Sequence, residues 1–138
     1  MINVYLAGSM TEFLKNGEFE ESIRWREILD RQLQDSNIKV FDPTLHFDIN
    51  KDWDISGILP QNRLYLEKCD ILIVNLKYLD KSPGTLWEMS VANYLNKPII
   101  AFNATDWITY PHINSMITIH LKDVEEIYLY LTSMYSQL

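Results

Sequence analysis

The run Ile71-Leu-Ile-Val-Asn-Leu76 and the stretch Pro83-Gly-Thr-Leu-Trp-Glu-Met89 that follows it decide the fold of this chain. The first is short and apolar, as expected of a strand buried on both faces of a sheet. The second opens with a proline and a glycine, which mark a turn, and continues into the helical pattern Ser90-Val-Ala-Asn-Tyr-Leu95. A buried strand that turns into a helix is the building unit of a parallel α/β sheet.

The same alternation of apolar strands and amphipathic helices continues on both sides of this unit. We predict strands at Ile2–Ala7, Ile38–Phe41, Asp70–Leu76, Ile99–Phe102 and Ile117–Leu121. We predict helices at Phe19–Gln34, Ile58–Lys68, Thr85–Leu95 and Val124–Met134, with Pro60 in the first turn of the second helix. The chain has no internal repeat or linker. It is therefore expected to form a single α/β domain, residues 1–138, on a doubly wound five-stranded parallel sheet of the flavodoxin- or Rossmann-like kind.

Composition limits the partners of the protein. Apolar residues make up 47% of the chain and charged residues 22%, as in an ordinary globular domain. The formal net charge of −7 argues against binding a nucleic-acid polymer, which requires a basic face. It does not argue against a small anionic ligand, because backbone N–H groups and hydroxyls can hold one.

Cysteine usage and the first residues predict a reducing, cytoplasmic location. Cys69 is the one cysteine, so it has no internal disulfide partner, and its place beside a buried strand is typical of an inert core thiol. The first residues carry no basic segment, and their apolar run is too short for a signal peptide. No apolar stretch reaches the length of a membrane span, so we expect no membrane partner.

The carboxyl ends of the predicted strands gather a ring of polar side chains. In a doubly wound sheet, ligands bind at this edge. The segment Gly8-Ser-Met10 follows the first strand, Asp42 the second, and Asn103 the fourth. The segment from Asn75 to Glu88 follows the third strand and offers Ser82, Gly84 and Thr85. Hydroxyls here can bond a ligand, and the glycines let the backbone approach it closely.

Glu88 has two interpretations from its sequence position. With a helix beginning at Thr85, the carboxylate lies in the first turn, where the helix dipole favours a negative charge. An ionised carboxylate at the edge of a sheet is what a glycosyl-transferring enzyme needs as its nucleophile. Thr85-x-x-Glu88 also fits the capping box, in which the glutamate bonds the helix start and takes no part in chemistry. The surrounding ring of polar groups favours the nucleophile.

A resemblance to a known family rests on three segments in order. They are Val4-Tyr-Leu-Ala-Gly-Ser9, then Asn62-x7-Asp70-Ile-Leu-Ile-Val-Asn75, then Gly84-Thr-Leu-Trp-Glu-Met-x2-Ala92 with Lys97-Pro98 after it. Together they resemble the nucleoside 2-deoxyribosyltransferase family, including its relatives that hydrolyse nucleoside 5′-monophosphates. A weaker match follows at Asn114-Ser-Met116.

The resemblance implies a small α/β enzyme that needs no metal or organic cofactor. A glutamate attacks the anomeric carbon of a nucleoside, and a second base or water then takes up the sugar. Glu88 matches this nucleophile, and Tyr5 matches a tyrosine whose hydroxyl lies near it. Gly8 and Ser9 match residues at the sugar or phosphate end. Asn114 and Met116 resemble a pair that a neighbouring subunit contributes, so a homodimer or higher oligomer is expected.

Two positions depart from the commonest family pattern. Asn62 stands where most members carry an aspartate linked to proton transfer at the base, and an amide cannot act as an acid. Asp42, Asp80 or water is then left to protonate the leaving base. Ser82 stands where transferases often have aspartate and the monophosphate hydrolases have serine. Ser82 and Ser9 thus favour a phosphorylated substrate, whereas Asn114 favours the transferases.

The predicted function is therefore cleavage of the N-glycosidic bond of a 2′-deoxynucleoside or its 5′-monophosphate, with transfer of the deoxyribosyl group to another base. The alternatives are hydrolysis of a nucleoside 5′-monophosphate, or a non-catalytic nucleotide-binding module on the same fold. A metal site is not predicted. The acidic stretch Asp48-x-Asn-x-Asp-x-Asp54 is similar to the start of a calcium loop, but Trp53 and Leu59 occupy the positions that require glycine and glutamate.

Overall fold

Strands and helices alternate along almost the whole chain. The computed structural model describes residues 1–46, 52–104 and 110–138, and of residues 52–56 only the backbone. The strands are β1 (Ile2–Gly8), β2 (Ile38–Phe41), β3 (Ile71–Asn75), β4 (Ile99–Phe102) and β5 (Ile119–His120). The α-helices are α1 (Thr11–Lys15), α2 (Phe19–Leu33), α3 (Asp52–Lys68), α4 (Pro83–Tyr94), α5 (Pro111–Asn114) and α6 (Val124–Tyr135). Single 3₁₀ turns cover Pro43–Leu45 and Leu79–Lys81.

The strands form one parallel sheet in the order β2-β1-β3-β4-β5. The predicted doubly wound five-stranded sheet is confirmed. The strand order reverses direction between β1 and β3, where Tyr5 lies opposite Leu72 and Gly8 opposite Asn75. Helices leave the sheet on opposite faces at such a point, so a crevice opens above the carboxyl ends of the two strands.

Both faces of the sheet are buried by helices. On one face Val4 and Leu6 of β1 pack with the apolar side of α2 and α6, including Trp25 and Ile127. On the other face Tyr5 and Ala7 pack with α3 and α4. Successive residues of a strand point to opposite faces, which explains why the central strands read as continuous apolar runs. The buried Cys69, whose pKa burial raises to about 11, confirms the predicted core thiol.

The helix before β3 is longer than predicted. We expected it to begin at Ile58 with Pro60 in the first turn, but α3 begins at Asp52 and Pro60 lies in its interior. A proline removes only one helical hydrogen bond, so neighbouring turns can carry the helix through it. The acidic segment ahead of Ile58 concealed this start because it has no apolar periodicity. Part of that segment, including Asp48 and Asn50 of the apparent calcium loop, lies outside the described residues.

Other elements also differ from the prediction. α4 begins at Pro83, two residues before Thr85. β5 is restricted to Ile119–His120, an edge strand that pairs with β4 alone. The short helices α1 and α5 were not predicted as elements, because five and four residues are too few to show a helical period.

The Lys97-Pro98 element has a structural explanation. The ammonium group of Lys97 donates hydrogen bonds to the carbonyl oxygens of Glu67 (2.7 Å) and Cys69. Glu67 lies in the last turn of α3, whose final carbonyls have no helical partner. Lys97 thereby ties the end of α3 to the start of β4.

Candidate active site

Glu88 lies in the second turn of α4, and its side chain is only 8% exposed. Ser82 is the residue that precedes the helix and Pro83 the first helical residue, so the predicted place of Glu88 in the first turn is wrong. The capping-box alternative is wrong as well. The carboxylate accepts a hydrogen bond through Oε2 from the hydroxyl of Tyr5, not from the start of its own helix.

Burial controls the charge of Glu88. It raises the pKa of this carboxyl to about 7, and the hydrogen bond from Tyr5 and the positive charge of Arg26 offset the increase only in part. We predicted a carboxylate kept ionised by the helix dipole. That prediction is wrong, because the dipole acts mainly within the first turn and Glu88 lies beyond it in a desolvated position. Glu88 is therefore a group that changes its charge near neutral pH.

Tyr5 is fully buried in β1 and donates its hydroxyl hydrogen to Glu88. Burial, and then the neighbouring carboxylate, raise the pKa of Tyr5 far above its ordinary value, so the phenol keeps its proton. Its ring contacts Phe41, with 5.4 Å between the ring centroids, which fixes its orientation. Within the described part of the chain Tyr5 is the one hydrogen-bond donor to Glu88, and Oε1 is available to a ligand.

A buried guanidinium adjoins this pair. Arg26 of α2 is 2% exposed and lies at the carboxyl end of β1, where it donates to the carbonyl oxygens of Leu6 (3.1 Å) and Gly8 (3.1 Å). It also donates to Oδ1 of Asp42 at 3.2 Å. These bonds satisfy the guanidinium on several sides and hold it against the strand end that faces Glu88.

Asp42 anchors Arg26 and the turn after β2. Its Oδ1 accepts from the backbone N–H of Thr44 (3.0 Å) and from the Thr44 hydroxyl (2.6 Å), in addition to Arg26. We predicted Asp42 as a substrate-binding residue. It does not line either of the cavities that Glu88 lines, and its carboxylate is committed to contacts within the protein.

A cavity of about 430 Å³ above the ends of β1 and β2 has Glu88 in its wall. Its size falls in the range of sites for small organic ligands. Most of the wall is apolar and includes Met10, Leu14 and Phe19. The polar side chains besides Glu88 are those of Thr11, Arg26, Thr44 and Asn62. We refer to this space as the larger cavity.

Asn62 is the polar group of α3 in the larger cavity. The residue is 9% exposed, and its Oδ1 is buried without a hydrogen-bond partner among the described residues. A buried acceptor without a partner destabilises the empty protein. A ligand with an N–H or O–H group in this cavity would remove that penalty.

A second cavity of about 270 Å³ also has Glu88 in its wall, and we call it the smaller cavity. About half of its wall is polar, and the polar side chains besides Glu88 are those of Ser9, Thr11, Lys81, Ser82 and Thr85. The first turn of α4 lies here, so backbone N–H groups without helical partners are available to a negatively charged group. The predicted residues Gly8 and Met10 line both cavities and connect them beside Glu88.

Neither Asn114 nor Met116 lies in the two cavities. Asn114 is at the end of the exposed helix α5, and its Oδ1 is 2.9 Å from Nε2 of His120. Met116 packs at the margin of the core formed with α3 and α4. Within one chain, the structure does not bring this pair to Glu88.

A cavity of about 590 Å³, between α2 and α6, is separate from Glu88. The predicted ring residues Asn75 and Asn103 belong to its wall, where the Asn103 amide donates to Asn75 Oδ1 at 3.0 Å. The wall also carries the carboxylates of Glu21, Asp123 and Glu125, which disfavour an anionic ligand. We therefore take the cavities at Glu88 as the candidate active site, although each of them is smaller than this one.

Sequence reasoning missed Arg26 and Lys81. A signal for Arg26 existed, because residues 22, 25, 26, 29 and 33 form one side of a helix and all are buried in α2. An arginine within such an apolar stripe needs a buried partner, and Asp42 after β2 supplies it. No comparable signal marks Lys81, which is an exposed residue of a 3₁₀ turn.

Two kinds of feature are absent from the described residues. In residues 1–46, 52–104 and 110–138, no three side chains of the His, Cys, Asp or Glu type are grouped so that they could hold a metal ion. No helix of the described chain has the combination of length and apolar character that crossing a membrane requires.

The fold and this site define a doubly wound α/β protein with a buried carboxylate at the strand crossover. Residues 1–105 match the family described as "Nucleoside 2-deoxyribosyltransferase like". This match covers well over half of the chain. The protein belongs to that family, and the family identified from the sequence motifs is confirmed. None of the curated proteins matches the sequence significantly.

Solved structures share the fold along nearly the whole chain. A 2-deoxyribosyltransferase from the psychrotolerant bacterium Bacillus psychrosaccharolyticus has a TM-score of 0.70 at 20% identity, over 91% of this chain and 90% of that one. A 2-desoxiribosyltransferase from Leishmania mexicana has a TM-score of 0.64 at 14% identity, over 98% and 99%. The CMP N-glycosidase of Clostridium botulinum has a TM-score of 0.58 at 18% identity, over 95% and 98%.

The family match supports the prediction that this protein is an enzyme. Those structures are less than 25% identical to this chain, so their likeness demonstrates the fold.

Proposed function

We propose that this protein cleaves the N-glycosidic bond of a 2′-deoxynucleoside or its 5′-monophosphate, with Glu88 as the nucleophile. In the first step Oε1 attacks C1′, the bond from C1′ to the base nitrogen breaks, and its electron pair leaves with the base. In the second step another nucleobase, or water, attacks C1′ and the ester bond to Glu88 breaks. The observation that carries the proposal is the buried carboxylate, held by Tyr5, in the wall common to both cavities.

Tyr5 has two roles in this scheme. Its hydrogen bond holds one oxygen of Glu88, so the other oxygen is directed toward a bound sugar. The same bond stabilises the carboxylate over the carboxylic acid, since it donates to the charged form. The buried phenol cannot lose its proton near neutral pH, so it remains a donor throughout.

The larger cavity is suited to the base. Its apolar wall can contact the faces of a flat ring, and the unpartnered Oδ1 of Asn62 can accept from an N–H at the edge of that ring. Asn62 cannot protonate the leaving base. Asp42 is engaged with Arg26 and Thr44, and the exposed Asp80 lines neither cavity, so we assign the proton to water.

The smaller cavity favours a 5′-monophosphate as substrate. The hydroxyl of Ser9, the ammonium of Lys81 and the free N–H groups at the start of α4 can together bind a phosphate. Ser82 also lines this cavity, but its hydroxyl donates to the carbonyl oxygen of Tyr78 at 2.6 Å. This observation supports hydrolysis of a nucleoside 5′-monophosphate as the second candidate function. The named activity of the structurally similar CMP N-glycosidase agrees with it.

A second subunit completes the site in our proposal. Asn114 and Met116, which resemble the pair donated by a neighbour, are absent from the Glu88 cavities of their own chain. We therefore expect a cytoplasmic homodimer or higher oligomer in which this pair reaches the cavity of the adjacent protomer. Neither chemical step requires a metal or an organic cofactor.

Product analysis tests the proposal. The purified protein is incubated with each common deoxynucleoside and deoxynucleoside 5′-monophosphate, with and without a second free base, and the products are separated by chromatography. Free base without an acceptor identifies hydrolysis, and a new nucleoside identifies transfer. The Glu88→Gln variant is expected to form neither product. In the protein without this substitution, mass spectrometry is expected to detect a sugar bound covalently to Glu88. If the protein binds these compounds but forms no product, the enzymatic proposal is contradicted and the protein is a non-catalytic nucleotide-binding module.

A further inference from the structure

A cluster of side chains joins two segments that both line the smaller cavity. One segment is α1 with the residue before it, from which Met10 and Thr11 form part of the wall. The other comprises residues 78–82, which lead into α4 and contribute Lys81 and Ser82 to the wall. The side chains that join the two segments, which we call the bridging cluster, are those of Phe13, Glu18, Lys77 and Tyr78.

The end of α1 fixes the position of Glu18. Gly17 has a φ of 70°, in the left-handed region that glycine adopts without strain. The N–H of Gly17 donates to the carbonyl oxygen of Leu14 at 3.2 Å, and the N–H of Glu18 donates to that of Phe13 at 2.8 Å. These two bonds form the Schellman motif that closes a helix. Because Phe13 is fully buried, the backbone of Glu18 is tied to a residue of the core.

Glu18 connects α1 to the second segment. Its carboxylate accepts hydrogen bonds from the ammonium of Lys77 at 2.6 Å and from the hydroxyl of Tyr78. The Tyr78 ring also packs edge to face on the ring of Phe13, with 5.1 Å between the ring centroids. The side chains of Glu18 and Lys77 are each 30% exposed, and ion pairs at such positions add little to global stability. The cluster is therefore expected to affect local position more than the stability of the fold.

Tyr78 has a backbone conformation that its contacts must maintain. Its φ is 64°, in the left-handed region, which is unfavourable for a residue with a Cβ atom. Its side chain is held by Phe13 and Glu18. Its carbonyl oxygen accepts from the N–H of Lys81 at 3.0 Å and from the hydroxyl of Ser82 at 2.6 Å. A strained residue persists only where its surroundings enforce it, so loss of the side-chain contacts would allow residues 78–82 to relax.

We propose that the bridging cluster holds residues 78–82 in place, and that Glu18 and Tyr78 are positioning residues for the 5′-phosphate of the substrate. Through the backbone of Tyr78 they determine where Lys81 and the start of α4 lie. Neither side chain lines a cavity that contains Glu88. The inference rests on the proposed function, which assigns the smaller cavity to a phosphate, and goes beyond it by attributing phosphate binding in part to residues that do not touch the ligand.

The Glu18→Gln substitution is a test in which position and charge predict opposite results. An amide cannot form the ion pair with Lys77, so residues 78–82 lose part of their support. The substitution also removes a negative charge, which by itself would strengthen the binding of an anion. We expect the affinity for 2-deoxyribose 5-phosphate to fall about 3- to 10-fold, the effect of one lost hydrogen bond. This probe carries the sugar and the phosphate without a base, so the identity of the base does not affect the result.

The Tyr78→Phe substitution tests the second bond of the cluster. It keeps the ring that packs on Phe13 and removes only the hydroxyl that donates to Glu18. We expect a similar fall in affinity for the same probe, about 3- to 10-fold, with no change of charge.

Glu67→Gln and Tyr94→Phe are the matched controls. Glu67 forms an ion pair with Arg63 at 3.2 Å, and Tyr94 is 84% exposed at the end of α4. Neither residue lines a cavity that contains Glu88. Neither substitution is expected to weaken binding of the probe.

Titrations followed by the amide NMR signals measure the dissociation constants, and the same spectra show whether each variant is folded. Weaker binding in both cluster variants and in neither control supports the inference. Tighter or unchanged binding in either cluster variant would overturn it, as would the absence of binding to the parent protein. The probe has no N-glycosidic bond to break, so these results are independent of whether the protein cleaves nucleosides, which the product analysis decides.

Steady-state kinetics provide a second measurement in an active enzyme. In both cluster variants the KM for a deoxynucleoside 5′-monophosphate is expected to rise, while its kcat and the KM for the corresponding deoxynucleoside stay unchanged. A general loss of structure would affect both substrates. An equal rise in KM for both would therefore overturn the inference.

Discussion

The two cavities that meet at Glu88 differ in the chemistry of their walls. The larger one is mostly apolar and contains the amide oxygen of Asn62, which has no hydrogen-bond partner among the described residues. The smaller one is formed by hydroxyls, a lysine and the start of α4. One carboxylate therefore lies between a space suited to a flat, weakly polar ring and a space suited to an anion. A nucleotide has its base and its phosphate on opposite sides of the sugar carbon that Glu88 would attack.

The largest expected effect concerns the group common to both cavities. Glu88→Gln is expected to reduce turnover at least about 10³-fold, because an amide is not a nucleophile here. It is also expected to stabilise the protein above pH 7. Folding raises the pKa of Glu88 from 4.5 to about 7, so ionisation costs the folded state about 3 kcal/mol once the pH exceeds both values.

Thermal unfolding of both proteins at several pH values measures this difference in stability. The advantage of the glutamine variant is expected to appear between pH 4.5 and 7 and to be absent below pH 4.5, where the carboxyl is protonated in both states. A variant that is less stable than the parent at pH 8 would indicate that the carboxylate is not desolvated as described.

The Tyr5→Phe substitution is expected to have the next largest effect on the reaction rate. Loss of a hydrogen bond to a charged group should reduce the rate about 10- to 100-fold. It should also move the acid limb of the pH–rate profile to higher pH, because the bond lowers the pKa of Glu88. Reaction rates measured from pH 5 to pH 9 test both the expected loss of rate and the expected shift of the acid limb. Because phenylalanine fits the same core position, the circular dichroism spectrum of the variant should equal that of the parent protein. A rate equal to that of the parent would show that the Tyr5 hydroxyl has no role in the reaction.

Asn62→Asp alters only the larger cavity. A carboxyl at this position can protonate a departing base, so turnover of substrates with poor leaving bases is expected to increase about 10-fold at acidic pH. Asn62→Leu is the control, since it lacks both the acid and the amide. Initial rates with a purine and a pyrimidine nucleotide provide the measurement. If the aspartate variant is no faster than the leucine variant, Asn62 does not face the base.

Gly84→Ala alters only the smaller cavity, and we expect the smallest effect here. A methyl group at this position meets no atom within 4 Å, so the fold tolerates it, but it enters space that a phosphate would occupy. We expect a rise in KM of about 3- to 10-fold for 5′-monophosphates and little change for nucleosides. Gly57→Ala, which is equally free of clashes but remote from this cavity, is the control. An equal loss for both substrate types would contradict the assigned difference between the cavities.

The central part of the fold was predictable because its signals are local. The apolar runs of β1, β3 and β4 are continuous, and the turns at Pro83 and Pro98 separate them from helices. The start of α3 was not predictable, because its acidic first turn lacks the period that defines a helix. Likewise, two residues of error at the start of α4 assigned Glu88 to the wrong turn and gave a wrong expectation for its charge.

Only those site residues that follow a strand or belong to a family motif could be predicted from the sequence. Parallel topology brings Ser9, Ser82 and Thr85 to one edge, and they do line one cavity. The contact between Tyr5 and Glu88 joins residues far apart in sequence, and only the resemblance to a family indicated it. To predict the role of Arg26 one must know both that it lies on the buried side of its helix and that Asp42 lies beside it. The second fact is known only from the folded chain.

The packing around Gly8 limits which amino acids can occupy this position. A side-chain carbon there would lie 3.2 Å from Cβ of Asn75, 3.3 Å from Nη2 of Arg26 and 3.4 Å from the ring of Trp25. These contacts are tight, so alanine at this position would require the neighbouring side chains, including that of Arg26, to move by a few tenths of an ångström. In a library that samples every amino acid at this position, selection for activity should therefore favour glycine over larger residues, even though glycine contributes no side chain to the reaction.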